Sequence, residues 1–395
     1  MESYFPGLTA ELIQAGAVRI TDASREVRWF RSGDYHQPGV SNLSGLGVSR
    51  PTLESKVRAA LLGFQNVQIL EGRNVLGLLT TQDNSRVTGV KVENRQADIE
   101  EQLEADLVID AGGRGSRSPA WLAEKGYRQP EVEEVHIGMR YTTCYFQRKP
   151  EQIEGIKGIT IMPTPPDRHL AVMLAQDGDR WVVTIGGYLG LHTPTELQGF
   201  LEAARRLPAP HIYDVIKHAE PRSEPVAYTF PANLRRRYEK LDRFPQGYLV
   251  IGDALCSFNP IYGQGMTVAA LEAKALDESL SYSQDQLMNK YFMKASNIIN
   301  DSWNAAVGND LGYQAVEGPR SPMVRFINWY IGKVHKAAHT DSDVSIAFLK
   351  MINMVAPPSS ILHPQILWRV LKGNLRSDRI LKEGTITLPR QIGNH

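Results

Sequence analysis

Cysteine is nearly absent from this chain: Cys144 and Cys256 are the only two in 395 residues. Their spacing matches no metal-ligand pattern. That excludes a disulfide-stapled scaffold, argues against a structural zinc site, and fits a reducing compartment or a chain that needs no staples. A dominant charge is also missing, with 44 Lys and Arg against 43 Asp and Glu, so no global field points to nucleic acid. No apolar run approaches the roughly 20 residues of a membrane span, and Met-Glu-Ser-Tyr-Phe-Pro at the amino terminus is no signal peptide. The expectation is a cytoplasmic protein, with peripheral contact at a membrane surface left open. No Ser/His/Asp or metal constellation stands out. What is present is an ordinary apolar fraction of 42%, enough to fill the cores of two or three packed units.

The most informative stretch runs Tyr248-Leu249-Val250-Ile251-Gly252-Asp253 and continues through Pro260, Gly263, Gln264, Gly265 and Met266 to Thr267. Residues 248–251 are short, apolar and β-branched at two positions, which suits a strand buried on both faces of a parallel sheet. Asp253 then falls at the carboxyl end of that strand, where open α/β sheets place their ligands. Gly263 and Gly265 let the backbone approach a ligand closely, and residues 266–276 read as a helix whose first N–H groups face whatever Asp253 holds. A second stretch repeats this logic: a buried strand over residues 105–110 ends in Ala111-Gly112-Gly113-Arg114-Gly115-Ser116, before a helix over 119–125.

Around these motifs the chain reads as mixed α/β. A helix is expected over residues 2–15, a strand over 26–30, and a helix after Ser49-Arg50-Pro51-Thr52, with Ser49 or Thr52 as cap and Leu53, Val57, Ala60 and Leu61 as its apolar face. Strands at 67–70, 75–81 and 86–94 suggest a meander. Runs at 136–146, 158–163, 169–175 and 180–187 read as one antiparallel sheet, in which Tyr141, Tyr145, Met162, Met173 and Trp181 serve as packing. A helix over 196–207 and a strand over 226–233 follow. Arg235-Arg236-Arg237 reads as a solvated basic face. Beyond Tyr291 the pattern is helical, with helices expected at 323–336, 342–355 and 364–371, and their aromatic and Met content packing a cap.

The Gly252-Asp253…Pro260…Gly263-x-Gly265 pattern resembles the second flavin fingerprint of the class A flavoprotein monooxygenases, the para-hydroxybenzoate hydroxylase-like group, whose relatives include squalene epoxidase and geranylgeranyl reductase flavoproteins. Gly113 and Ser116 align with that family's strand followed by Ala-Asp-Gly-x-x-Ser. The resemblance implies an FAD-binding Rossmann-like three-layer domain, an antiparallel-sheet substrate domain and a C-terminal helical region. The corresponding boundaries are 1–125 and 229–290 for the FAD-binding parts, 126–228 for the sheet domain and 291–395 for the helices. It implies FAD as cofactor, with Asp253 on the ribityl chain and Gly252, Pro260, Gly263, Gln264, Gly265 and Met266 around it and beside the isoalloxazine ring. Arg50 would lie near the cofactor, and Phe258, Asn259, Ile261 and Tyr262 near the ring face. A helix N-terminus there would stabilise the negative charge of a reduced flavin. Cys256, Thr267 and Glu272 stand where the family commonly has His, Asn and Asp. The family's Asp linked to FAD and reduced nicotinamide falls on Gly112, and the resemblance implies NADPH or NADH as electron donor.

The implied activity is a monooxygenase that hydroxylates or epoxidises an apolar small molecule with molecular oxygen through a flavin C4a-hydroperoxide. The alternative is a double-bond reductase similar to geranylgeranyl reductase. A halogenase is less attractive because no Trp-x-Trp-x-Ile-Pro sequence occurs. The family opens with a strand and Gly-x-Gly-x-x-Gly that cradle the FAD pyrophosphate, and no such sequence is found. The expectation is therefore of a chain lacking the N-terminal βαβ unit, with a parallel sheet short of strands, apolar edges exposed and FAD held weakly or not at all.

Overall fold

The apolar runs at the head of the two motifs become neighbours. Tyr248–Val250 pairs in parallel with Val108–Asp110, Tyr248 beside Val108 and Val250 beside Asp110, so both glycine turns leave the same end of one small sheet. This computed structural model describes residues 2–382, and residues 383–395 of the expected helical region lie outside the described residues. The chain divides into two compact units. One holds the residues up to Leu8 with Glu54–Met139 and Phe230–Pro319, and the other holds Thr9–Leu53, Arg140–Thr229 and the chain from Arg320 onward.

In the first unit the Tyr248–Val250 strand is wholly buried, as expected of a parallel strand covered on both faces. The Tyr291 hydroxyl, from the long helix Gln284–Asp310, donates to the Val250 carbonyl at 3.1 Å. Tyr248 of the strand stacks on Phe244 and Tyr238 on Phe292, while Phe244 meets Tyr238 and Phe292 edge-on, with ring centroids 5.1–5.9 Å apart. The Val108–Asp110 strand is less protected. Among the described residues its other edge has no partner strand, and Ile109 is 42% exposed. The meander forms from Arg73–Thr80, Val87–Asn94 and Ile99–Glu104. The expected strand at 67–70 is absent: Val67 and Leu70 are 37% and 44% exposed, so this apolar run has no surface to bury against and no ladder to join. Ile99–Glu104 takes the third place although its Glu-Glu-Gln centre resembles a loop, because its side chains face water.

The second unit is built on a sheet. Residues 140–147 of the strand Glu131–Gln147 pair antiparallel with Arg180–Gly187, then His169–Gln176, then Gly158–Ile161. The four runs expected as one antiparallel sheet pair in that way, and Val27–Arg31 extends the sheet in parallel beside Gly158–Ile161. Met173, Trp181, Val183 and Ile159 are buried against Phe200 and Ile212 from two short helices. Met162, Met173 and Trp181 are therefore core, as read from the pattern. A separate core gathers Tyr330, Val334, Ala337, Phe348 and Val370 from helices Pro322–Ala338, Ser342–Ile352 and Pro364–Lys382, with Ile361 from the 3-10 turn Pro358–Leu362. The first and last of these approach closely. A Cβ on Gly373 would lie 2.9 Å from that of Ala337, and the Asn374 amide donates to the Lys333 carbonyl at 2.9 Å.

Beside this core His36 and His335 stack, centroids 5.2 Å apart, with His36 Nε2 3.1 Å from His335 Nδ1. His339 Nε2 lies 2.9 Å from the Arg31 carbonyl. Burial, with His339 and Arg31 nearby, pushes His36 down to about 3. His335 is driven well below its ordinary value by burial, then by Arg31, His36 and His339. Both rings are neutral in the fold at neutral pH.

Candidate functional site

Both turns in the first unit are short 3-10 segments, Gly113–Gly115 and Gly252–Ala254. Gly252 has φ of +66°, a conformation that costs any side chain with a Cβ. The turn is pinned from behind by Glu272, wholly buried on the helix Gly265–Ser279, which accepts the Gly252 N–H at 2.6 Å. Asp253, released by that turn, is exposed at the carboxyl end of the strand. The other turn is organised by Asp110, whose carboxylate accepts the Gly112 N–H at 2.7 Å and the hydroxyls of Ser116 at 2.5 Å and Ser118. Gly112 stands where the resembled family has Asp, and Asp110 supplies a carboxylate two residues earlier. It is spent inside the turn, as is the hydroxyl proton of Ser116.

One arginine joins the two turns. Arg236 donates from Nη1 to the Ala254 carbonyl and from Nη2 to the Arg114 carbonyl, each at 2.9 Å. Arg114 in turn donates to the Ala232 carbonyl at 2.7 Å. Burial lowers the Arg114 pKa, helped by Arg236 and opposed by Glu134 and Asp253. The reading of Arg235-Arg236-Arg237 as a solvated face is therefore corrected. Arg235 is 2% exposed and donates to Ser296 Oγ at 3.0 Å, and Arg237 lies between Glu133 and Glu239. A planar guanidinium reaches two carbonyls at once, which makes it suited to this internal role.

The loop after Asp253 is held by a buried polar cluster. Asp310, the last residue of the helix Gln284–Asp310, accepts from Asn233 Nδ2 at 2.8 Å, Asn259 Nδ2 at 3.3 Å and the Tyr262 hydroxyl at 2.7 Å. Asn233 Oδ1 accepts the Asn259 N–H at 2.6 Å. Asn233, Asn259 and Asp310 are all fully buried, so Asn259 and the Tyr262 hydroxyl position the loop. Beyond them Pro260–Tyr262 makes one 3-10 turn, closed by Gly263 at φ +66°. A Cβ added at Gly113, Gly263 or Gly265 would meet no atom within 4 Å. The backbone at these three glycines borders open space, and the exposed Gly265, Met266 and Thr267 begin the helix there.

The structure thus brings together Gly113, Ser116, Gly252, Asp253, Pro260, Gly263, Gln264, Gly265 and Met266 in one unit. Arg50 belongs to the other unit, where it is exposed as the first residue of the helix Arg50–Leu62. Ser49 just before it is fixed by Asp177, which accepts both its N–H and, at 3.0 Å, its hydroxyl. Sequence reasoning missed Asp110, Arg236, Asn233 and Asp310. Only Asp110 carried a local signal, a carboxylate at a strand end two residues before Gly112. The second unit also contains a cavity of about 540 Å³, lined by Phe30, Met162, Pro208 and Trp329 and by the polar side chains of Ser32, Thr164, Asp167, Lys333 and Lys336.

No family model matches the chain. Protein Rv3254 of Mycobacterium tuberculosis is 29% identical over 388 residues, covering 95% of this chain and 81% of that protein. Solved structures of similar fold include a triple mutant of the flavin-dependent brominase Bmp2, with TM-score 0.61, 13% identity and coverage of 94% of this chain and 86% of that one. They include p-nitrophenol 4-monooxygenase PnpA from Pseudomonas putida, at 0.60 and 14%, covering 88% and 83%. A flavoprotein/dehydrogenase from Cytophaga hutchinsonii matches at 0.59 and 15%, covering 96% and 86%. The fold is that of the flavin-dependent monooxygenases and halogenases.

Proposed function

We propose that this chain is an FAD-dependent oxidoreductase, a monooxygenase acting on an apolar small molecule. The observation that carries the reading is the shared geometry of the two turns. They leave one end of a parallel strand pair under a single arginine, with Asp253 exposed and three glycines bordering open space. The residues present fit the ribityl and ring half of FAD. Asp253 would accept from ribityl hydroxyls, and the backbone of Gly113 and of Gly263, Gln264, Gly265 and Met266 would lie against the flavin. Bound FAD would supply the redox chemistry with oxygen, and NADPH or NADH is the proposed donor.

The protein's own contribution is positional and electrostatic. The first N–H groups of the helix Gly265–Ser279 point out of its amino end, where they would stabilise an anionic ring. Glu272 and Asp310 hold the two sides of the loop that carries Asp253, so the amides are aimed before any ligand arrives, the condition for electrostatic stabilisation without reorganisation. An apolar substrate accords with the apolar side chains that line part of the second unit's cavity.

The test is titration of the purified chain with FAD, read by flavin fluorescence, for the parent and for Asp253→Ala. Loss of binding in the variant supports the assignment, and equal affinity discredits it. With FAD bound, substrate-coupled oxygen consumption identifies a monooxygenase, whereas anaerobic saturation of an alkene would replace that reading with a reductase.

A further inference from the structure

The net charge of +1 hides a strong asymmetry. Residues 320–382 contain ten Lys or Arg against three Asp or Glu, so this region is markedly basic while the rest of the chain is acidic. Helix Pro322–Ala338 carries Arg325, Lys333 and Lys336 and no carboxylate, and helix Pro364–Lys382 carries five basic residues and one acid. The same two helices also leave large apolar side chains in water. On the first, Met323, Phe326 and Trp329 are 66%, 48% and 59% exposed. On the second, Leu367, Trp368, Leu371 and Leu375 are 41%, 65%, 53% and 62% exposed, and their spacing places them within one arc of about 100° of the helix. The inner arcs of both helices are already satisfied by Tyr330, Val334, Ala337 and Val370.

Scattered exposed apolar residues need no explanation, but a contiguous stripe on one helix marks an interaction site. Its chemistry selects the occupant. Arg369 is paired with Asp341 and Asp343, but apolar residues with tryptophan, bordered by Arg325, Lys336 and Lys372, match the interface of an anionic lipid bilayer, which takes the apolar side chains at the acyl boundary and the cations at the headgroups. A second copy of the chain would bring two strongly basic regions together, and that repulsion opposes self-association. We infer that the face formed by helices Pro322–Ala338 and Pro364–Lys382 docks on an anionic membrane surface. No helix among the described residues is long and apolar enough to cross a membrane, so the contact is with the surface. Trp329 and Lys336 of this region also border the cavity of the second unit. The inference does not rest on the flavin reading, and FAD plays no part in its test.

Full-length protein is floated with phosphatidylcholine vesicles, with and without phosphatidylserine, at low and high salt. Recovery with the anionic vesicles only, and its loss at high salt, is the expected result. Trp368→Ser combined with Leu371→Ser should abolish flotation. Neutralising Arg325, Lys336 and Lys372 to Gln should weaken partitioning about a hundredfold, at roughly 1 kcal/mol for each cation near the surface. All five positions are exposed, and an unchanged thermal transition shows that each variant is folded. Equal recovery with both vesicle types, or none with either, overturns the inference. So does a dimer in sedimentation that the Trp368 and Leu371 changes convert to monomer.

Discussion

Glu272 makes the positioning argument quantitative. Its carboxyl group is fully buried and accepts the Gly252 N–H. Burial first, and Asp253 next, push it up from an ordinary value of 4.5 to about 8, against the Gly252 hydrogen bond. The folded protein thus keeps a proton that the unfolded chain releases above 4.5. Its stabilising effect is complete below that pH and is lost progressively as pH rises toward 8. Near pH 7 the loss amounts to about 3 kcal/mol. Glutamine has the shape of the neutral acid, retains an oxygen for the Gly252 N–H and cannot ionise. Glu272→Gln should therefore match the parent near pH 4.5 and exceed its stability by about 3 kcal/mol near pH 7. Urea denaturation of both proteins across this range, followed by aromatic fluorescence, reads the difference directly. A difference that does not change with pH, or a parent more stable than the variant near neutrality, would refute the claim that this carboxyl is held neutral.

Two further perturbations test other parts of the frame. Asp310→Ala strips the partner from Asn233, Asn259 and Tyr262 and, at about 1–3 kcal/mol for each donor left unpaired, should cost several kcal/mol in chemical denaturation; a cost below about 1 kcal/mol would show that the cluster does not hold the loop. His36 and His335 act at acid pH in the opposite sense to Glu272. Their folded values lie below the ordinary 6.5, so their stabilisation is intact above that pH and is lost as the unfolded chain takes up protons below it. His36 alone should remove about 2 kcal/mol near pH 5. His36→Phe should make this acid limb shallower, and a limb unchanged in the variant would exclude His36 as a source of it.

The legible part of the site was what a short window contains. The run 248–251 and the glycines after it announce a buried strand and a ligand-facing loop because apolar continuity and missing Cβ atoms are local properties. The pairing of Tyr248–Val250 with Val108–Asp110 joins segments far apart in the sequence, and no periodicity encodes it. Arg236 was misread for the same reason. In a window it is one of three adjacent cations, and only the fold brings the carbonyls of Arg114 and Ala254 within its reach. Residues 67–70 and Ile99–Glu104 fail in mirror image, since the first is apolar without a partner and the second is charged yet paired along its backbone.

The Arg236 clamp has a consequence for how this site tolerates change. It grips carbonyl oxygens, which every amino acid possesses, so the side chains at 114 and 254 do not enter its bonds to those turns. The shape of the turn pair is thus recorded at a position outside both motifs, and the motif residues themselves carry less of it than their appearance suggests. A saturation library should show near-complete intolerance at Arg236, including to lysine, whereas Ala254, fully buried, should accept only small side chains. Related chains that have drifted through the glycine turns would still be recognisable by an arginine near the end of the strand that corresponds to Val226–Arg237.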